Sequence, residues 1–181
     1  MKTFKTNVFK PVLALLVLVR ASCGSSKNTS ADIIIDSKEA KATVSANRSE
    51  IAALFNNSVG YAIFPNVGKG AYIIGAASGN GTVYEKGALV GYSSMKQVDV
   101  GLQAGGKAFI EVIFFQTQEA LNDFKEGNYE LSGNASAVIL EEGVSREVEF
   151  RDGVGIVTKP KAGVMAGISV GGQKFEYTPI K

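Results

Sequence analysis

The sequence predicts a mainly β, α+β domain: a compact antiparallel β barrel or sandwich-like body, with an N-terminal helix and one short helix packed on it. Three observations lead there. Short runs of β-branched and aromatic residues recur from residue 59 to 181, each too brief for a helix. Twenty-one glycines against four prolines punctuate those runs, which is turn chemistry and not the composition of a disordered chain. Helical spacing is confined to two stretches, 33–58 and 117–125.

The first 23 residues read as an export leader. Lys2, Lys5 and Lys10 precede Pro11–Val19, an apolar run without a polar side chain, and Arg20-Ala21-Ser22-Cys23 follows. The run falls well short of the roughly 20 residues a spanning helix needs. Ala21-Ser22-Cys23-Gly24 resembles the end of a lipobox, with Arg20 where that pattern has Leu, Val or Ile. Cleavage after Ala21 by an ordinary signal peptidase is the alternative. The lipoprotein reading is favoured because the chain's only cysteine falls where lipidation needs it. This gives residues 1–22 as signal peptide, 23–32 as flexible tether and 33–181 as the folded domain. Removing Lys2, Lys5, Lys10 and Arg20 leaves 15 basic against 17 acidic residues, a net charge of −2. A near-neutral body lacks the basic field of a nucleic-acid binder.

Asp36-Ser37-Lys38-Glu39 reads as a helix start, and Ala40, Val44, Ile51, Leu54 and Phe55 fall on one face. That stripe is predicted to cover a sheet, with Asn56-Asn57 and Gly60 ending the helix. Gly60–Gly81 reads as strand, Gly-rich turn over Asn66–Gly70, then strand, with Gly68 and Gly70 supplying turn angles. Thr82–Glu85 and Ala88–Tyr92 follow as short strands. Val98, Val100 and Leu102 alternate with Asp99, Gly101 and Gln103, a half-buried strand. Ala108–Phe115 (AFIEVIFF) is the most hydrophobic run and is predicted to be a central strand buried on both faces. Thr117 caps a short helix through Lys125 that turns Leu121 and Phe124 inward and stops at Gly127. Ser136–Leu140, Glu147–Phe150, Gly155–Thr158, Val164–Val170 and Lys174–Tyr177 supply the remaining strands.

The absence of histidine removes Ser-His-Asp and Cys-His catalysis, and zinc and haem lose their commonest ligand. No cofactor is expected. Gly101–Lys107 fits the spacing of a phosphate-binding loop, but Ala108 replaces the hydroxyl residue and a strand follows where a helix is required. Glu141, Glu142, Glu147, Glu149 and Asp152 offer carboxylates, and the alternation of Glu147 and Glu149 with Val148 and Phe150 marks a solvated face. Lys69, Lys86, Lys107, Lys159, Lys161 and Lys174 stand beside glycines or prolines at predicted strand ends. Gathered on one side, they would form a cationic rim for phosphorylated head groups.

Three blocks resemble the SYLF domain, also called the Ysc84 actin-binding-like or DUF500 family. They are GYAIFPNVGKGAYIIGAASGNG from Gly60, GLQAGGKAFIEVIFFQTQEALNDFKEGNYELSGNASAV from Gly101, and AGVMAGISVGG near the end. The resemblance implies a β-dominated domain that binds phospholipid. Eukaryotic members add SH3 or FYVE modules and touch actin; neither module occurs here, so actin is not carried over. The segment matching their basic amphipathic arm, Asp36–Asn57, is mixed in charge. The expected function is a non-catalytic phospholipid-binding domain of the bacterial cell envelope, anchored through lipidated Cys23 and facing the periplasm. Lys69, Lys107, Lys159 and Lys161 are the expected head-group contacts. The partner is anionic phospholipid or a membrane surface, and nucleic acid is not expected. The alternative is an envelope interaction protein that binds another protein.

Overall fold

A computed structural model describes residues 29–71, 74–100, 103–127, 130–131, 137–140, 147–167 and 170–181. Cys23, Glu141 and Glu142 lie outside them. Among the described residues the order is α1 (Ser30–Ser45), α2 (Ser49–Asn57), β1 (Gly60–Ala71), β2 (Ile74–Glu85), β3 (Ala88–Val100), β4 (Gln103–Phe115) and α3 (Gln118–Glu126). Then come β5 (Glu130–Leu131), β6 (Ala137–Ile139), β7 (Phe150–Arg151), β8 (Val154–Gly167) and β9 (Val170–Pro179).

All nine strands join one sheet, ordered β5-β9-β3-β2-β1-β4-β8-β6, with β7 paired to β8. Chain length forces this sheet to fold on itself. β3 and β4 stand three places apart, about 14 Å in a flat sheet. Yet Val100 and Gln103 are three Cα steps apart, about 11 Å at full stretch. β8 and β9 stand five places apart, about 24 Å if flat, and the same short span joins Gly167 to Val170. The sheet therefore curls until β9 faces β1 and β4. Phe175 of β9 lies 5.6 Å from Phe64 of β1, ring to ring, although β3 and β2 lie between their strands on the path. Among the described residues β5 and β6 end the path without pairing to each other, so the body is sandwich-like and not a closed barrel.

Two cores result, one on each face of the central strands. Inside the fold, Phe64, Val67, Met95, Phe109, Ile113, Phe115 and Phe175 pack with Leu121 and Phe124 of α3. Outside, Tyr61, Ile63, Ile110, Val112, Phe114 and Val157 are covered by Ala40, Val44, Ile51 and Phe55 of the two N-terminal helices. The AFIEVIFF strand is thus buried on both faces, as its composition predicts: every residue from Phe109 to Phe115 is buried. The α3 expectations also hold. Thr117 caps the helix, Leu121 and Phe124 point inward, and Gly127 ends it in the left-handed conformation.

Several local expectations need correction. The first helix starts at Ser30, six residues before Asp36, because Thr29 and Asp32 form a capping box. The Asp32 amide donates to Thr29 Oγ1 at 3.3 Å, and the Thr29 amide donates to the Asp32 carboxylate at 2.9 Å. The single helical arm is two helices, broken at Asn47, whose φ of 56° a residue with a short amide tolerates. No turn interrupts β1 at Asn66–Gly70. A bulge after Phe64 absorbs Pro65 and Asn66, and the strand continues to Ala71. Gly68 and Gly70 are strand residues, absent from the positive-φ glycines Gly87, Gly105, Gly127 and Gly153. The strands after Gly81 are not short: β2 and β3 each run a dozen residues or more, as does β8, which joins two predicted strands. In β3 the alternation is real but its buried face is the polar one. Val98 is 60% exposed and Asp99 only 2%.

Candidate functional site

The buried face of β3 leads to a polar cluster inside the folded sheet. Lys69 of β1 forms an ion pair with Asp99 of β3, and both side chains are almost fully enclosed. Gln97 Nε2 donates to the second Asp99 oxygen, Oδ1, at 2.7 Å. From β9, Gln173 Nε2 donates to Gln97 Oε1 and to Glu111 Oε2 of β4, both at 3.0 Å. One chain of donors and acceptors therefore links four strands and crosses from one side of the fold to the other. Glu111 is 1% exposed, and its Oε1 has no partner among the described residues. Burial pushes its carboxyl up to about 7, against the opposing pull of the Gln173 hydrogen bond and the Lys107 charge.

Lys107 stands directly opposite Lys69 in the β1–β4 register. Like charges across a strand pair repel, and Asp99 offsets the charge of Lys69 alone. Lys107 turns toward solvent with its ammonium 5.3 Å from the Phe109 ring centroid. Partial burial of its stem lowers its pKa, and the neighbouring Lys69 charge lowers it further. The arrangement holds one enclosed, neutralised lysine beside one accessible cation at the mouth of a polar interior.

Lys159 and Lys161 lie elsewhere, on β8 against α1. They line a groove with Asp36, Glu39, Thr43 and Ile110. Lys161 Nζ donates to Asn66 Oδ1 at 2.5 Å and to the Pro65 carbonyl at 3.4 Å, while Asn66 Nδ2 donates to Asp36 at 2.9 Å. The bulge in β1 thereby clips α1 to β8. The four lysines singled out in the sequence thus form two pairs on two faces of the sheet and no common rim. None of them stands at a turn, since β1, β4 and β8 run through all four positions. Gly106 and Lys107 likewise belong to a strand, where a phosphate-binding loop would lead into a helix; Gly101 and Leu102 lie outside the described residues. Glu147, Glu149 and Asp152 are exposed.

Asp99, Gln97, Glu111 and Gln173 escaped the sequence reading. Glu111 carried a usable signal: it is the one charged residue in a strand predicted to be buried on both sides, so its carboxyl had no solvent to reach. Gln97 and Gln173 carried none: they meet as register partners of β3 and β9, 76 positions apart, and reach Glu111 only because the sheet folds over.

Residues 96–178 match the family model described as Ysc84, Las17-binding protein actin regulator. No curated protein and no solved structure is matched. The matched span begins in β3, ends in β9 and includes Gln97, Asp99, Lys107, Glu111 and Gln173, whereas the block from Gly60 to Gly81 precedes it. Through this span, a little under half of the chain, the protein is similar to the Ysc84, or SYLF, family.

Proposed function

We propose that this protein is a non-catalytic domain that binds anionic phospholipid at a membrane surface, and that it does so with the end of the folded sheet where its hairpins converge. One observation carries the reading: close to that end the outer face is open at Gly68 and Gly70 and carries exposed Val98. Register pairing places Ala71, Ile74, Val100, Gln103, Gly167 and Val170 together there. On the outer face behind them, an added Cβ at Gly68 or Gly70 would meet no atom within 4 Å. α1 does not reach these positions. Val98 sits on the same face with Ala76 and Gly172 as register partners. Lys96, Lys107 and Lys174 are all exposed, each four residues back from the end of its strand, about 13 Å along it. An apolar end with cations set behind it suits a bilayer whose head groups are anionic.

Export and anchoring through Cys23 fit the same orientation. The first turn of α1 lies near β3, since Ile33 and Lys96 line one groove. The six residues from Cys23 to Thr29 span at most about 21 Å, so an acyl anchor there would hold this end against its own membrane. The two buried carboxylates do not argue for catalysis: Asp99 is neutralised by Lys69, and Glu111 is enclosed.

The test is sedimentation of the leaderless Cys23→Ala protein with vesicles. Binding to vesicles rich in phosphatidylglycerol, weakened by Lys107→Glu and by Val98→Asp, is the expected result. Indifference to vesicles of every composition would remove the lipid reading and leave an envelope protein as the partner.

A further inference from the structure

The groove between α1 and β8 has a volume of about 340 Å³, and its two walls carry opposite charge. α1 contributes Asp36 and Glu39; β8 contributes Lys159 and Lys161; Ile110 of β4 lies between them. Asp36 and Lys161 already satisfy each other through Asn66. Glu39 and Lys159 do not. Neither has a hydrogen-bond or ion-pair partner among the described residues, although both line the same groove. They do not pair with each other, and Asn66 links the two walls that carry them.

An anion alone would meet the acidic wall, and a cation alone the basic one. A ligand carrying both charges satisfies both. We propose that this groove binds a small zwitterion, a primary ammonium joined by a short linker to a phosphate ester, with Glu39 taking the ammonium and Lys159 the phosphate. The volume is at the low end for a small-molecule site, suited to a head group and not to a whole lipid. Ile110 and Ala40 present apolar surface to the linker. Among the described residues no aromatic ring lines the groove, so it lacks the cage that a quaternary ammonium prefers and favours the primary amine. Phosphoethanolamine carries this chemistry, either free or as the head group of a lipid. The lipid source rests on the membrane reading above; the site itself does not.

The purified protein is titrated with phosphoethanolamine, ethanolamine, inorganic phosphate and phosphocholine, followed by calorimetry or amide chemical shifts. Saturable binding of phosphoethanolamine, with each of the other three at least about tenfold weaker, is expected from losing one charge-assisted contact. Glu39→Lys and Lys159→Glu each abolish that preference, and the double charge swap restores it, because a zwitterion can reverse its direction. Both positions face solvent at least in part, so the variants keep the fold. Equal binding of phosphate and phosphoethanolamine, or wild-type affinity in Glu39→Lys, overturns the proposal. In a second arm, vesicles containing phosphatidylethanolamine that bind the wild type better than Glu39→Lys identify the lipid as the source. Binding of the free compound with no such vesicle effect identifies a soluble ligand. Failure on all vesicles with phosphoethanolamine binding intact refutes the membrane reading and spares the site.

Discussion

Replacing Glu111 by Gln tests the polar interior most directly. The carboxyl ordinarily titrates near 4.5 and is raised to about 7 in the fold, with burial as the main cause. The groups acting on it are Gln173 from β9 and Lys107 from its own strand, and Gln173 also links it to Gln97 and the Lys69–Asp99 pair. Below pH 4.5 both folded and unfolded chains hold the proton, and the group does not affect stability. As pH rises from 4.5 to about 7 the unfolded chain releases the proton while the folded chain keeps it, so stability falls. Above about 7 the loss is complete, and the interval corresponds to roughly 3 kcal/mol. Most of it, about 2 to 3 kcal/mol, falls between about pH 5 and pH 8. Gln is nearly isosteric, keeps an acceptor for Gln173 and cannot ionise. Glu111→Gln therefore matches the wild type near pH 4 and exceeds it by up to roughly 3 kcal/mol at about pH 8, a gain of roughly 6–12 °C in melting temperature for a domain of this size. Urea unfolding across that range, followed by far-UV circular dichroism, reads the difference between the two proteins and cancels carboxylates common to both. An identical pH slope in wild type and variant would refute the assignment of Glu111 as a buried, proton-holding group.

The ion pair gives a second test. Lys69→Met leaves Asp99 enclosed with Gln97 alone and is expected to cost about 3–5 kcal/mol, whereas Lys69→Met with Asp99→Leu should be far closer to neutral. Equal losses in single and double variants by chemical denaturation would contradict that pairing. Phe124→Ala removes a ring fully buried between Phe115 and Phe175, at centroid distances of 5.0 and 5.2 Å, and should cost about 3–5 kcal/mol in the same assay. Gly60→Ala brings a Cβ to 2.6 Å from the Tyr84 carbonyl and 2.9 Å from Leu121 Cδ2, so about 1–3 kcal/mol is lost. A neutral result there would mean that β1 and β2 separate more easily than their register implies.

The sequence by itself determined the class of the fold and its apolar skeleton. Period and composition are local, so the doubly buried AFIEVIFF strand, the Thr117-capped helix ending at Gly127 and the stripe from Ala40 to Phe55 could all be read without coordinates. It also carried the likeness to the Ysc84 family that the match over residues 96–178 bears out, in ordered blocks that no single motif carries. Local pattern fails where the deciding partner is distant in the chain. Pro65 and the glycines after it mimic a turn, and only pairing with β2 and β4 on both sides carries β1 through them as a bulged strand. Val98 and Asp99 alternate in a way that hydrophobicity alone assigns backwards. The folded sheet buries Asp99 because Lys69 waits on the inner side, thirty residues earlier in the chain. Gln173 reaches Glu111 across 62 positions for the same reason. Hairpin spans too short for a flat sheet bring those strands face to face, and that closure, which no local pattern encodes, placed every member of the polar interior.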